Sequence, residues 1–169
     1  MPSSGCQSGT LADVDPSLTA LLVDASERFL GEALGRLDAA GYGGLSVSHA
    51  FTIQLIEAGV ATITALSAAM RMTPQAVSAI VNQLDERGLV TKGRQQGDAR
   101  TRILSLTDDG RHLADEITAA LRGVEGDWAD LIGVQRLTDV KSALAAYVSE
   151  GSRATPALAR RRPRRVRFV

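Results

Sequence analysis

Apolar residues recur at helical spacing in six stretches of the chain and alternate in one. Leu18, Leu21, Leu22, Ala25, Phe29, Ala33 and Leu37 keep one face of a first helix apolar. Asp15 is its expected N-cap, Pro16 its first helical position, and Gly41 closes it. "GYGGL" is a turn, and Ser46 to about Ala58 reads as a second helix. "ATI" is short and could add one small strand, and "TALSAAMR" reads as a third helix capped by Thr64. The fourth is "MTPQAVSAIVNQLDERGLV", with Thr73 as N-cap, Pro74 at the first position and Gly88 just past the end. The period then changes. From Val90 to Leu106 the pattern is that of a hairpin, with Gly97-Asp98 near its tip. Thr107 caps a fifth helix, where Asp108 and Asp109 suit the dipole, and Gly133 breaks it after about Ile132. "VQRLTDVKSALAAYVSE" reads as the sixth.

The fourth helix has two unlike faces. At 100° per residue, Ala76, Val77, Ile80, Val81 and Leu84 gather on one side, with Arg87 at the margin. Gln75, Ser78, Ala79 and Asn82 gather opposite. A merely solvated face usually carries Glu and Lys in its first turns. Here the charges wait until Asp85, Glu86 and Arg87. Short amides and hydroxyls suit base edges in a major groove: Gln and Asn can pair with adenine, and an Ala methyl can meet the thymine methyl. The order is a capped helix, a tight turn through Met70, Arg71 and Met72, a second capped helix and a hairpin. That order predicts a winged helix-turn-helix.

Composition narrows the class. Of the residues, 44% are hydrophobic and only 4% aromatic, which favours Ala/Leu/Val helix packing over an aromatic-rich sandwich. The single cysteine, Cys6, excludes an intrachain disulfide framework and a zinc ribbon. No apolar run reaches the roughly 18 residues of a membrane span, and no basic region precedes an apolar core at the N-terminus. A soluble cytoplasmic protein is expected, associated with the nucleoid when bound to DNA.

Charge changes the picture further. The formal net charge is zero, yet residues 153–169 hold seven of the 19 Lys and Arg and none of the 19 Asp and Glu. The body is therefore acidic and the tail basic, a distribution that raises the question of a nucleic-acid partner. Between positions 87 and 102, Arg87, Lys92, Arg94, Arg100 and Arg102 stand against one acid, Asp98. Phosphates need such cations. An Arg100 at the wing tip can enter a narrow minor groove, and Asp98 could hold it by a charge-assisted bond.

The stretch "ALSAAMRMTPQAVSAIVNQLDERGLVTKGRQQGDARTRILSLTDDG" carries a resemblance. Helix, turn, reading helix, "L-x-x-R-G-L-V" into the wing, "D-x-R" at its tip and "L-T-x-x-G" opening a long helix together resemble the MarR family of bacterial regulators. The resemblance covers about residues 14–150. It implies a mainly α fold with a small β-wing: a six-helix winged helix-turn-helix that is MarR-like and homodimeric. It implies dimerisation helices at about 14–41 and 111–150 and a winged helix-turn-helix at about 45–110, while the Gly/Ser/Thr-rich residues 1–13 are expected to form a flexible arm. A disordered Arg-rich tail is expected over 151–169. The function implied is a sequence-specific regulator, by default a repressor on a pseudo-palindromic operator, released by a small phenolic or other amphipathic effector. The partners are double-stranded DNA and a second copy of the chain, with no membrane and no cofactor.

The expected DNA contacts are Thr73, Pro74, Gln75, Ser78, Asn82, Lys92, Arg94, Asp98, Arg100 and Arg102. Tyr42, His49 and Phe51 lie near the crevice that relatives use for effectors. Family members often place Arg where Pro74 and Ala79 stand, so phosphate contact from this reading helix is expected to be weaker. The tail lies outside the family pattern. It has three readings: an arm on phosphate, a solubilising extension, or an arm docked on the acidic body.

Other residues carry blander readings. Cys6 precedes the first helix, so a bystander thiol outweighs a peroxide sensor. His49 and His112 without further ligands make a poor metal site, and His49 is expected to line the crevice or cap a helix. Trp128 is expected to anchor a dimer core. Nothing resembles a phosphate-cradling loop or a nucleophile–base pair, so no enzyme is expected. The competing class is a winged-helix dimer acting through protein–protein contacts, or an effector-independent DNA-binding protein.

Overall fold

The computed structural model describes residues 17–95 and 98–154; for 94–95, 98–102 and 151–154 only the backbone is described. Its elements run α1 (Leu18–Ala39), α2 (Val47–Glu57), α3 (Ile63–Met70), α4 (Pro74–Glu86), β1 (Val90–Gln95), β2 (Asp98–Leu106), α5 (Asp108–Ile132) and α6 (Val134–Ala154). The six helices and the antiparallel two-stranded wing agree with the sequence pattern in number and order. The chain divides into two compact units, one up to Arg122 and one from Gly123.

In the first unit, each helix start has a local cause. Ser17 caps α1 by accepting from the Ala20 amide at 3.2 Å, in the place expected of Asp15, which with Pro16 lies outside the described residues. Ser46 and His49 form a capping box at the start of α2. Thr62, rather than Thr64, caps α3 by accepting from the Ala65 amide at 3.2 Å. Thr64 falls inside the helix, where its hydroxyl cannot reach the orphan amides of the first turn. Thr73 caps α4, and Gly88 follows it at φ +71°, a conformation that favours glycine.

The apolar face of α4 is the centre of the core. Val77 and Leu84 are fully buried, Val81 nearly so, and they share that core with Ile53 of α2, Leu66 of α3, Val90 of β1 and Leu113 of α5. The expected extra strand at "ATI" reduces to one backbone bond, from Leu104 N–H to the Ala61 carbonyl at 2.8 Å.

The wing is pinned at its base. The Leu89 carbonyl accepts from the Thr107 amide at 3.1 Å, the Thr107 hydroxyl donates to the Gly88 carbonyl at 2.7 Å, and Thr107 Oγ1 accepts from the Gly110 amide at 3.0 Å. Gly110 allows this approach, because a Cβ there would lie 2.0 Å from the Leu89 carbonyl oxygen. In the second unit α6 runs to Ala154, past the Gly151 at which the sequence suggested it would stop. A Lys141–Glu125 ion pair at 2.6 Å ties it to the end of α5.

Candidate nucleic-acid interface

The turn between α3 and α4 places the outward face of α4 in the open. Arg71 adopts a left-handed conformation (φ 54°, ψ 38°), the described non-glycine residue with positive φ, and reverses the chain. Thr73 then starts α4 with its hydroxyl 3.3 Å from the Ala76 amide, and Pro74 occupies the first helical position. Pro74, Gln75, Ser78, Ala79 and Asn82 line one open concavity, as the helical spacing predicts. Ile63, from the first turn of α3, joins them. Sequence reasoning missed Ile63 because its neighbours there come from another helix. The floor of this surface is thus a mixture of apolar groups (Ile63, Pro74, Ala79) and short polar ones (Gln75, Ser78, Asn82).

The cations of this region divide. Arg87 does not extend into solvent: its guanidinium donates to the carbonyls of Gly43 and Gly44 at 3.4 and 3.2 Å, joining the end of α4 to the turn before α2. Lys92 donates to Asn82 Oδ1 at 2.7 Å and to Asp85 Oδ2 at 2.8 Å. Both were counted from the sequence as phosphate cations, and both are held by the protein itself. Arg94 lies opposite Arg102 in the ladder, Asp98 opens β2, and Arg100 is two residues further on. The turn between β1 and β2, with Gly97, lies outside the described residues, as do Cys6, the N-terminal arm and the tail from 155 onward.

The three crevice candidates separate. His49 belongs to the α2–α4 framework. The Ser46 amide can only donate, so His49 Nδ1, 3.1 Å away, accepts, and Nε2–H donates to Gln83 Oε1 at 2.7 Å. Phe51 lines an apolar recess with Leu30, Leu34, Val47, Gln54 and Ile117, while Tyr42 and His49 are not among its lining residues. The recess holds about 70 Å³. His112 is exposed and Trp128 half-buried. Among the described residues, no group of three or more His, Cys, Asp or Glu could hold a metal ion, and no helix is long and apolar enough to cross a membrane.

A helix-turn-helix followed by a wing, with its second helix open to solvent, defines a winged helix-turn-helix protein. The model of the MarR family (MarR_2) matches residues 43–101, the segment that holds the helix-turn-helix and most of the wing. Solved structures share the fold over more than that segment. FabT of Streptococcus pneumoniae, in complex with DNA, is 17% identical with a TM-score of 0.70, covering 81% of this chain and 96% of its own. A MarR family regulator from Rhodococcus sp. RHA1 is 22% identical with a TM-score of 0.65, covering 83% and 96%. A MarR family protein of Mycobacterium tuberculosis, in complex with salicylic acid, is 22% identical with a TM-score of 0.63, covering 81% and 99%. No curated protein matches the chain.

Proposed function

We propose that this chain is a sequence-specific DNA-binding regulator that binds a pseudo-palindromic operator as a homodimer and represses by occupying the promoter. The observation that carries the reading is the outward face of α4. Gln75, Ser78 and Asn82 share one open concavity with small apolar groups and no long charged side chain. Such a surface can approach base edges closely. The DNA in the FabT complex supports the same reading for a protein of this fold.

Dimerisation is supported by apolar residues that the single chain leaves uncovered. In α1 these include Leu18 (71% exposed), Leu21, Leu22 and Val23. In α6 they include Val140, Leu144, Tyr147 and Val148. Exposed apolar surface on this scale marks an association site.

Release by an effector is the finer part of the proposal. The recess beside Phe51 is lined almost entirely by apolar side chains, with Gln54 as the polar one and no charge. An uncharged apolar or phenolic molecule suits it. A dry cavity of about 150 Å³ takes benzene, so the 70 Å³ recess must widen before it accepts even one ring. That widening would part α1 from α2, and His49 links α2 to α4 through Gln83. Effector binding and operator geometry are coupled by that route.

Selection of bound duplexes from a random pool, followed by a salt titration on the selected site, tests the proposal. With Arg87 and Lys92 held internally, Arg94, Arg100 and Arg102 supply the wing contacts. Two wings then give a slope of log affinity against log salt of about −5, before any contribution from the tail. A pool with no enriched pseudo-palindrome would refute the reading.

A further inference from the structure

We propose that Lys92 is a positioning residue for base choice. From the wing it holds the Asn82 amide with its NH2 group turned outward, so that Asn82 selects guanine rather than adenine. This inference rests on the DNA-binding reading above and deepens it.

The orientation follows from chemistry. Lys92 Nζ lies 2.7 Å from the Asn82 side-chain amide and 2.8 Å from Asp85 Oδ2. An ammonium has three donors and no lone pair, so the amide must face it with Oδ1. Asp85, three residues further along α4, takes a second ammonium hydrogen and holds the lysine in place. The Lys92 side chain is only 22% exposed, unlike a freely swinging surface lysine. Nδ2 with its two hydrogens is therefore the part of Asn82 left for the concavity shared with Gln75 and Ser78.

Base choice then changes. Pairing of Asn with adenine needs Oδ1 to accept from N6 while Nδ2 donates to N7. Here Oδ1 already faces a cation, and that positive charge repels the N6 hydrogens that would have to share the oxygen. Guanine presents N7 and O6, two acceptors, on the same edge. It suits the outward NH2 and is drawn by the nearby ammonium. Both effects act in one direction. Lys92 in this role reads no base itself, and it contacts no phosphate while it bonds Asn82 and Asp85.

The test is selection from a random duplex pool with the full chain, with Lys92→Met and with Lys92→Arg. Met keeps the apolar stem and removes the charge. Asn82→Ala identifies the position in each half-site that Asn82 reads. At that position the wild type is expected to prefer guanine over adenine by about tenfold, and Lys92→Met to move the ratio toward adenine by about tenfold. Lys92→Arg keeps a donor cation and should retain guanine. Replacing that guanine by 7-deazaguanine should weaken the wild-type protein, which tests the contact even if Lys92→Met fails to fold. A uniform loss over all sequences for Lys92→Met, with a shallower salt slope and the same base ranking, would make Lys92 a phosphate contact and overturn the proposal. Adenine preferred by both proteins would overturn it as well. Absence of selection by the wild type would instead remove the DNA-binding reading on which it stands.

Discussion

Gly110→Ala is a substitution that helix propensity and packing judge in opposite ways. Gly110 sits in the first turn of α5, where alanine would normally gain about 1 kcal/mol over glycine. The structure sets a larger cost against that gain. An added Cβ would lie 2.0 Å from the Leu89 carbonyl oxygen, 3.1 Å from its carbon and 3.3 Å from Leu106 Cβ. The atom it meets most closely is backbone, so no side chain can swing away. Ordinary contact begins near 3.4 Å, so α5 and the β1 base must part by about 1.4 Å. That parting strains the bonds from the Thr107 amide to Leu89 and from the Thr107 hydroxyl to Gly88. Two such bonds are worth ~1–3 kcal/mol together, and overpacking a buried site costs a further ~1–3 kcal/mol. The net expectation is a loss of about 1–5 kcal/mol after the propensity gain. Urea unfolding at fixed protein concentration measures it, since an associating chain has concentration-dependent stability. Gly126→Ala on the same helix is the control: nothing lies within 4 Å of its added Cβ, so it should stabilise by up to ~1 kcal/mol. Equal stabilisation by both substitutions would refute the close approach of α5 to Leu89.

Arg87→Ala should lower stability by ~1 kcal/mol through loss of the bonds to Gly43 and Gly44, while leaving the salt slope of DNA binding unchanged; a shallower slope would return Arg87 to the phosphate contacts. Arg71→Gly should raise the free energy of unfolding by ~0.5–1 kcal/mol, because glycine adopts φ 54° without strain; a fall would mean that the Arg71 side chain holds the turn. Truncation after Ala154 leaves α6 whole, should preserve the selected sequence and should flatten the salt slope if the tail meets phosphate; an unchanged slope would assign the tail another role. Arg100→Ala should weaken binding to nearly all sequences and preserve the ranking of central bases; a changed ranking would place the wing, not α4, in the major groove.

The parts of the fold legible in the sequence were those with local causes. Thr73, Pro74 and Gly88 mark α4 within a single turn of each end, and its apolar period fixes which face is buried. Choices between neighbouring signals were harder. Ser17 displaced Asp15 and Thr62 displaced Thr64, because each site offered two capping residues and the chain's path decided between them. What the sequence did not show were pairings between distant segments. His49 meets Gln83 across 34 positions, and Arg87 meets Gly44 across 43. No periodicity carries that information.

Counting charges misses such pairings for the same reason. Arg87 and Lys92 belong to a basic stretch that looks uniformly suited to phosphate, yet their partners are carbonyls, an amide and a carboxylate. Their commitment separates tasks along one short segment. Arg87 ties α4 to the turn before α2, while Lys92 ties the wing to α4, so α4 is braced at its C-terminal end from two sides. On the DNA-binding proposal, bracing suits a helix whose outward groups are short. Gln75, Ser78 and Asn82 have little reach, so a displacement of α4 by an ångström would remove the proposed base contacts where a long Arg could follow the groove. A reading surface built from short side chains thus requires a rigid mount. On the DNA-binding proposal, the cations that form this mount are not available to phosphate, and the basic residues of the outer wing are left to meet it.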